Sequence, residues 1–238
     1  MRDPYLYDDL DILRNLGNIR NSDKLRQAEG DVTKHTMAMV YAQKFSKFNA
    51  ETLCEIHRII FDALFEWAGS YRTISVIKRE AVLGGDSVRY SHPSKIKQEL
   101  NEISKEIAKL NHREPKENLL FKLVRITAKL WQTHPFRDGN TRAVISFIVL
   151  LAEHLNIEID YLLFEKHASY VRNALVWASQ GMYSKHVYLE RIFFDAAGVA
   201  HNTYNLDSTV TNDYSHIEGY YVADYVEQPH VYIDDEGE

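Results

Sequence analysis

A single cysteine in 238 residues, Cys54, leaves no internal disulfide, so packing alone must hold the fold. Cys54 falls among helical apolar positions and reads as an inert core thiol, in keeping with a reducing compartment. Long apolar runs are missing too. The fullest, Ala143 to Ala152 broken only by Ser146, is far short of the roughly eighteen residues that a membrane span needs, and belongs inside the protein. Met1-Arg2-Asp3-Pro4 leads into acidic residues rather than an apolar signal region, which argues against ordinary secretion and for the cytoplasm. An excess of positive charge is missing as well: a formal net charge of −6 with no long basic run disfavours nonspecific nucleic-acid binding. The eleven histidines are scattered, with no His-x-x-x-His and no Cys-x-x-Cys, which disfavours zinc. Neither nucleic acid nor membrane is expected as a partner.

What the chain does have is helical periodicity. At 45% apolar content it can bury one sizeable core. Apolar spacing of three and four predicts helices near Asp8 to Leu16, Ser22 to Phe45, Ala50 to Trp67, Ser94 to Leu110, Pro115 to Thr133, Asn140 to Leu155, Leu163 to Ser179 and Lys185 to Ala197. Ser22 and Asn49 suit N-cap positions, and Pro115 a first turn where its missing N–H costs nothing. Between Trp67 and Pro93, alternating Thr, Ile and Val around Gly84-Gly85-Asp86 predict one β-hairpin, whose edge could receive an extended peptide. From His201 onward the periodicity gives way to polar residues that end in an acidic terminus. The expectation is an all-α bundle with one hairpin over residues 1–198, followed by a polar tail or small appendage over 199–238.

Chemistry concentrates between two of these helices, in His134-Pro135-Phe136-Arg137-Asp138-Gly139-Asn140-Thr141-Arg142. Pro135 disfavours helical dihedrals at His134 and so presents it on a turn. Gly139 and Asn140 permit unusual backbone angles, and the next helix begins at once. A helix N-terminus with outward N–H groups and a positive dipole end is a natural phosphate site. Arg142 in that first turn opposes the dipole, a cost that a bound anion would offset. Asp138 is hard enough to hold Mg²⁺ through one or two oxygens, with phosphates and water completing the shell. His134 can accept a proton from a hydroxyl at neutral pH.

In this order the stretch resembles the signature of the Fic family, His-x-Phe-x-(Asp/Glu)-Gly-Asn-Gly-Arg-x-x-Arg, whose members are mostly adenylyltransferases that move AMP from ATP to a protein hydroxyl. The resemblance implies that His134 is the base, Phe136 a buried wedge and Asp138 the Mg²⁺ ligand. It also implies that Gly139, Asn140 and Thr141 form the anion-binding turn and that Arg142 meets a phosphate. Thr141 replaces the second glycine of the signature, and Ile145 its final arginine. Trp67-Ala68-Gly69 with Arg72-Thr73 resembles the start of the family's flap. That likeness implies that Val76, Ile77 and Lys78 lie over ATP and that a protein substrate docks along the hairpin. Tyr170 and the run Ala178-Ser179-Gln180-Gly181 resemble the segment that holds adenine.

The implied function is AMP transfer to a Ser, Thr or Tyr hydroxyl, with ATP as substrate and Mg²⁺ as cofactor. Self-modification, for instance at Tyr220, Tyr221 or Tyr225, and homo-oligomerisation both stay open. Rival readings are transfer of the γ-phosphoryl group or another nucleotide, a phosphodiesterase removing AMP, or a nucleotide-binding module without turnover. Relatives carry an inhibitory (Ser/Thr)-x-x-x-Glu-(Gly/Asn) helix. Glu29-Gly30 and Glu218-Gly219 are similar, but Leu25 and Tyr214 stand where Ser or Thr would, and Ile145 where the partner arginine would. Glu29 is therefore expected to be a solvated helix residue, so that Glu29→Gly changes AMP transfer little.

Overall fold

The computed structural model describes residues 3–200 together with Tyr214 and Ile217. Among them are eight α-helices: α1 (Ser22–Tyr41), α2 (Ala50–Phe61), α3 (Pro93–Ile107), α4 (Lys116–Thr133), α5 (Asn140–His154), α6 (Tyr161–Lys166), α7 (Ala168–Ala178) and α8 (Val187–Ala196). The tail expected from residue 199 and Glu218 with it lie almost wholly outside the described residues. No helix among the described residues is long and apolar enough to cross a membrane.

The bundle is organised around α5. Eleven of its residues are buried, from Asn140 to Ala152, as expected of a helix that is apolar nearly all round. The helix lies against α4, through residues such as Leu123, Val124 and Trp131, and against α2, through Leu53, Ile56 and Ile60. α7 and α8 cover the other side of α4. The loop joining α4 to α5, residues 134–139, is thereby held at one end of the core, beside the C-terminal end of α2.

Several boundaries differ from the sequence expectation, each for a local reason. Asn21, not Ser22, caps α1 by accepting the Lys24 N–H, whereas Asn49 caps α2 as expected. Pro115 is itself the residue before α4, in an extended conformation. α2 stops at Phe61 rather than Trp67, because the chain folds back on it. Gly69 has φ +78°, and a Cβ there would come within 2.8 Å of the Cys54 carbonyl oxygen. No helix forms near Asp8 to Leu16. Leu6 and Leu13 instead pair antiparallel, with Tyr7 N–H donating to Ile12 O at 3.0 Å and Arg14 N–H to Tyr5 O at 2.8 Å. So short a helix nucleates poorly, and Asp8-Asp9 with Asp11 favour a turn. The helix expected over Leu163 to Ser179 is broken at His167, which ends α6 and starts α7.

The flap turns where Gly84 and Gly85 predict, both with positive φ. Its strands are rudimentary: one antiparallel bridge, Arg79 to Ser87, is present among the described residues, and Ala81–Leu83 form a 3₁₀ turn. Side chains do much of the joining. The Ser87 hydroxyl accepts the Lys78 N–H at 3.2 Å, and Arg72 reaches Ile74 O and Ser91 O in the two arms.

Candidate active site

His134 ends α4 in the left-handed conformation, φ +47° and ψ +58°, rather than the extended one favoured before proline. Two contacts stabilise it there: its carbonyl accepts Arg72 Nε–H at 2.7 Å, and its own Nδ1 lies 3.2 Å from Trp131 O. A carbonyl only accepts, so Nδ1 must carry the proton and Nε2 must be bare. The imidazole is buried at 2% exposure, with Tyr90 at 4.0 Å over its face and Trp131 at its edge. Nε2 has no hydrogen-bond partner among the described residues. Burial first, then the positive charges of Lys78 and Arg72, push its pKa well below the usual histidine value, so the ring is a neutral base at physiological pH.

In the turn that follows, expected to be the anion-binding one, side chains hold the backbone in place. Asn140 accepts the Phe136 N–H at 2.9 Å and donates back to Phe136 O at 2.8 Å, so its side chain braces the loop. The Thr141 hydroxyl accepts Trp131 Nε1–H at 2.9 Å and ties α5 to α4. Gly139 has φ +74°, and a Cβ there would sit 2.3 Å from Phe61, so no other residue fits. What remains for an anion is the backbone: first-turn N–H groups lack intrahelical acceptors, and no side chain caps them at α5.

His57 on α2 is a member of this site that sequence reasoning missed. It stacks on Phe136 at 3.8 Å, accepts the Gly69 N–H at Nδ1 (2.9 Å), and its Nε2–H donates to Asp138 O (3.0 Å). One ring thus joins the base of the flap to the signature turn. A histidine on an apolar helix face gives no local sign of such a task. Asp3 was missed too. Its carboxylate pairs with Arg137, Nε to Oδ2 at 2.8 Å, with both side chains buried, so the N-terminal segment grips the turn from outside.

Four cations meet four carboxylates here. Arg137 pairs with Asp3, and Arg172 of α7 holds Glu80 of the flap at 3.0 Å. Lys78 Nζ lies 3.7 Å from Asp138 Oδ1, and Arg142 pairs with Glu29 while lying 4.7 Å over the Phe61 ring. Glu29 is therefore not the solvated residue expected; its side chain is 17% exposed and engages the signature arginine. Burial opposes ionisation of Asp138. The charges of Lys78, Arg142 and Arg137, and the Gly139 N–H on Oδ1 at 2.7 Å, outweigh it and hold the carboxyl well below the usual range. Among the described residues no three His, Cys, Asp or Glu side chains gather as a metal cage. An ionised carboxylate that is 30% exposed beside an uncapped helix N-terminus suits Mg²⁺, which takes one or two protein oxygens and its other ligands from phosphate and water.

Comparison with known proteins decides the family. A family model for Fic/DOC matches residues 47–152. A relative named probable protein adenylyltransferase Fic, from Escherichia coli K12, is 30% identical over 169 residues, spanning 70% of this chain and 80% of the relative. The chain belongs to the Fic/DOC family. VbhT of Bartonella schoenbuchensis, named a protein adenylyltransferase, is 25% identical over 67% of this chain and 32% of its own length. Among solved structures, BepC from Bartonella tribocorum with bound AMPPNP superposes with a TM-score of 0.69 at 22% identity, covering 81% of this chain and 95% of that one. An N-terminal Fic domain from Bartonella quintana with bound ADP gives 0.69 at 24%, covering 81% and 93%. These two likenesses speak for the fold.

Within the Fic/DOC signature, His134, Phe136, Asp138, Gly139, Asn140, Thr141 and Arg142 all fall on the one turn. Lys78 is brought to it from the flap, beside Asp138. Val76 is buried and Ile77 half-buried on the same arm. Ile145 is buried in the core at 7% exposure, with no charge to offer. Tyr170 stands apart: its ring is buried against Tyr214, its hydroxyl donates to Tyr188 O at 2.9 Å, and it sits across α7 from Arg172. Those contacts pack it between α7 and α8.

Proposed function

We propose that this Fic/DOC protein is an adenylyltransferase that moves AMP from ATP to a Ser, Thr or Tyr hydroxyl of a protein. The observation that carries the reading is His134: a buried imidazole with its tautomer set by Trp131 and a bare Nε2, four residues from Asp138 and an uncapped helix N-terminus. The names of the relatives, adenylyltransferases at 25–30% identity, support the same reaction. The catalytic unit in this proposal runs over residues 1–198, taking in α1 and α8, with Lys116 Nζ donating to Ala197 O across its far end.

The ATP phosphates lie against the N–H groups of Asn140, Thr141 and Arg142, with the Arg142 side chain turned from Glu29 to them. Mg²⁺, held by Asp138 when bound, would gather phosphate oxygens and offset their charge. A target segment docks along the flap beside Val76, Ile77 and Lys78, and Tyr90 moves off His134 to admit the hydroxyl. Nε2 takes the hydroxyl proton, the oxygen attacks the α-phosphorus, and the α–β bridging bond breaks to release pyrophosphate. A buried acceptor without a partner costs about 1–3 kcal/mol, which the arriving hydroxyl recovers.

The test is intact mass after incubation with Mg²⁺, ATP and cell extract proteins or the chain itself, beside His134→Ala. An AMP-sized increment made by the wild type alone supports the proposal; increments equal in both refute it. One observation favours a second reading: the buried Ile145 removes a cation from the distal phosphates, which leaves room for an orientation that presents the γ-phosphorus. Label from α-labelled ATP marks AMP transfer, and label from γ-labelled ATP marks phosphoryl transfer.

A further inference from the structure

Lys78 is a buried ammonium set against the carboxylate of the signature turn. Its side chain is 7% exposed, and Nζ faces Asp138 Oδ1 at 3.7 Å, the carboxylate that fits Mg²⁺. Of the other cations of the site, Arg137 is engaged on Asp3, Arg172 on Glu80 and Arg72 on the carbonyls of His134 and Ile74, while Arg142 must first leave Glu29 to reach a phosphate. Position 145, an arginine in the family signature, is a buried isoleucine. The charge already facing Asp138, with no side chain having to move, is an ammonium delivered by the flap. It is held close by the Lys78 N–H on Ser87 and by the burial of its stem. An ammonium and a divalent ion cannot both lie against one carboxylate without repulsion in a site of low dielectric.

Resting on the nucleotide reading above, we propose that Lys78 is an internal cation that takes the divalent ion's share of phosphate neutralisation, so that this site binds ATP with little help from Mg²⁺. The ammonium is a compact point charge with three donors, suited to bridge a carboxylate and a phosphate oxygen. Mg²⁺ entering at Asp138 displaces Lys78 rather than adding to it. The two cations thus substitute for one another in binding.

Calorimetric titration of the full chain with ATP, in EDTA and in Mg²⁺, reads this directly, without activity. The quantity is the ratio of Kd in EDTA to Kd in Mg²⁺. A wild-type ratio below about fivefold is expected, and a larger one overturns the proposal while leaving nucleotide binding intact. Lys78→Met should raise the ratio at least about fivefold over wild type, and Lys78→Arg should keep it low; a ratio for Lys78→Met equal to wild type overturns the proposal. Should Lys78→Met not fold, Asp138→Asn serves. It removes a negative charge and releases the ammonium, so metal-free affinity should rise at least about threefold, and a fall overturns the proposal. No ATP binding by the wild type in either buffer overturns the nucleotide reading and this proposal with it.

Discussion

His57 is held neutral by opposite demands on its two nitrogens, an N–H pointing in from Gly69 and a carbonyl from Asp138. Protonation would set Nδ1–H against Gly69 N–H. Burial is the largest cause of its depressed pKa, about 4 against the ordinary 6.5, opposed by the Asp138 carbonyl and carboxylate and aided by Arg142. The sign follows: as pH falls below 6.5 the unfolded chain binds a proton that the folded chain refuses. Stability from this site is thus complete above about pH 7 and declines as pH falls toward about 4, by about 3 kcal/mol in all. Chemical denaturation from pH 7 to 4.5 should show that slope in the wild type and a markedly flatter one in His57→Gln. Equal slopes would mean that His57 already carries a proton in the fold.

At the scale of elements, the flap is closed by side chains rather than by a β-ladder. Glu80 is 3% exposed and accepts from Arg172 on α7 at 3.0 and 3.2 Å and from the Tyr90 hydroxyl at 3.3 Å, and Tyr90 in turn covers His134. Removing Arg172 takes the paired guanidinium from a buried carboxylate, which favours the state in which the flap is open. Amide exchange over residues 78–90 should quicken at least about tenfold in Arg172→Ala, with the amides of α4 and α5 unchanged. Unaltered exchange in the flap would show that the ion pair does not hold it. The same element shows what was legible in the chain and what was not. Gly84 and Gly85 marked the turn, Asn49 the start of α2 and the apolar run the buried α5, because caps, turns and periodicity are written locally. The clamp from Arg172 to Glu80, the Arg72 bonds to both arms and the Tyr90 cover join residues far apart in sequence, where polar side chains carry no sign of their partners. The short helix expected near Asp8 failed for the converse reason: a local pattern was overruled by pairing of Leu6 with Leu13 and by Asp3 on Arg137.

For the whole molecule, the question is how α1, which lies outside the family-matched stretch of 47–152, bears on the signature inside it. α1 buries little apolar surface, with Leu25, Thr33, Thr36 and Val40 as its buried residues, and much of its seating is polar. Thr36 donates to Ile60 O of α2 at 3.1 Å, and Glu29 meets Arg142 at the start of α5. A phosphate at the α5 N-terminus must compete with that carboxylate for the guanidinium, and a hydrogen bond to a charged group contributes about 1.5–3 kcal/mol. On the proposed pose, the helix is therefore expected to oppose nucleotide binding without touching the base. Its sequence hid this, since the usual partner position is Ile145 and the pairing moves to Arg142 instead. Glu29→Gln keeps the helix and its shape but removes the charge, and should tighten ATP binding in Mg²⁺ about tenfold, with AMP transfer rising in step. Arg142 remains seated on Phe61 in that variant, so the gain comes from released charge rather than a rebuilt pocket. A Kd unchanged by Glu29→Gln would restore the reading in which α1 only packs, and would place the control of this site in a partner rather than in the chain itself.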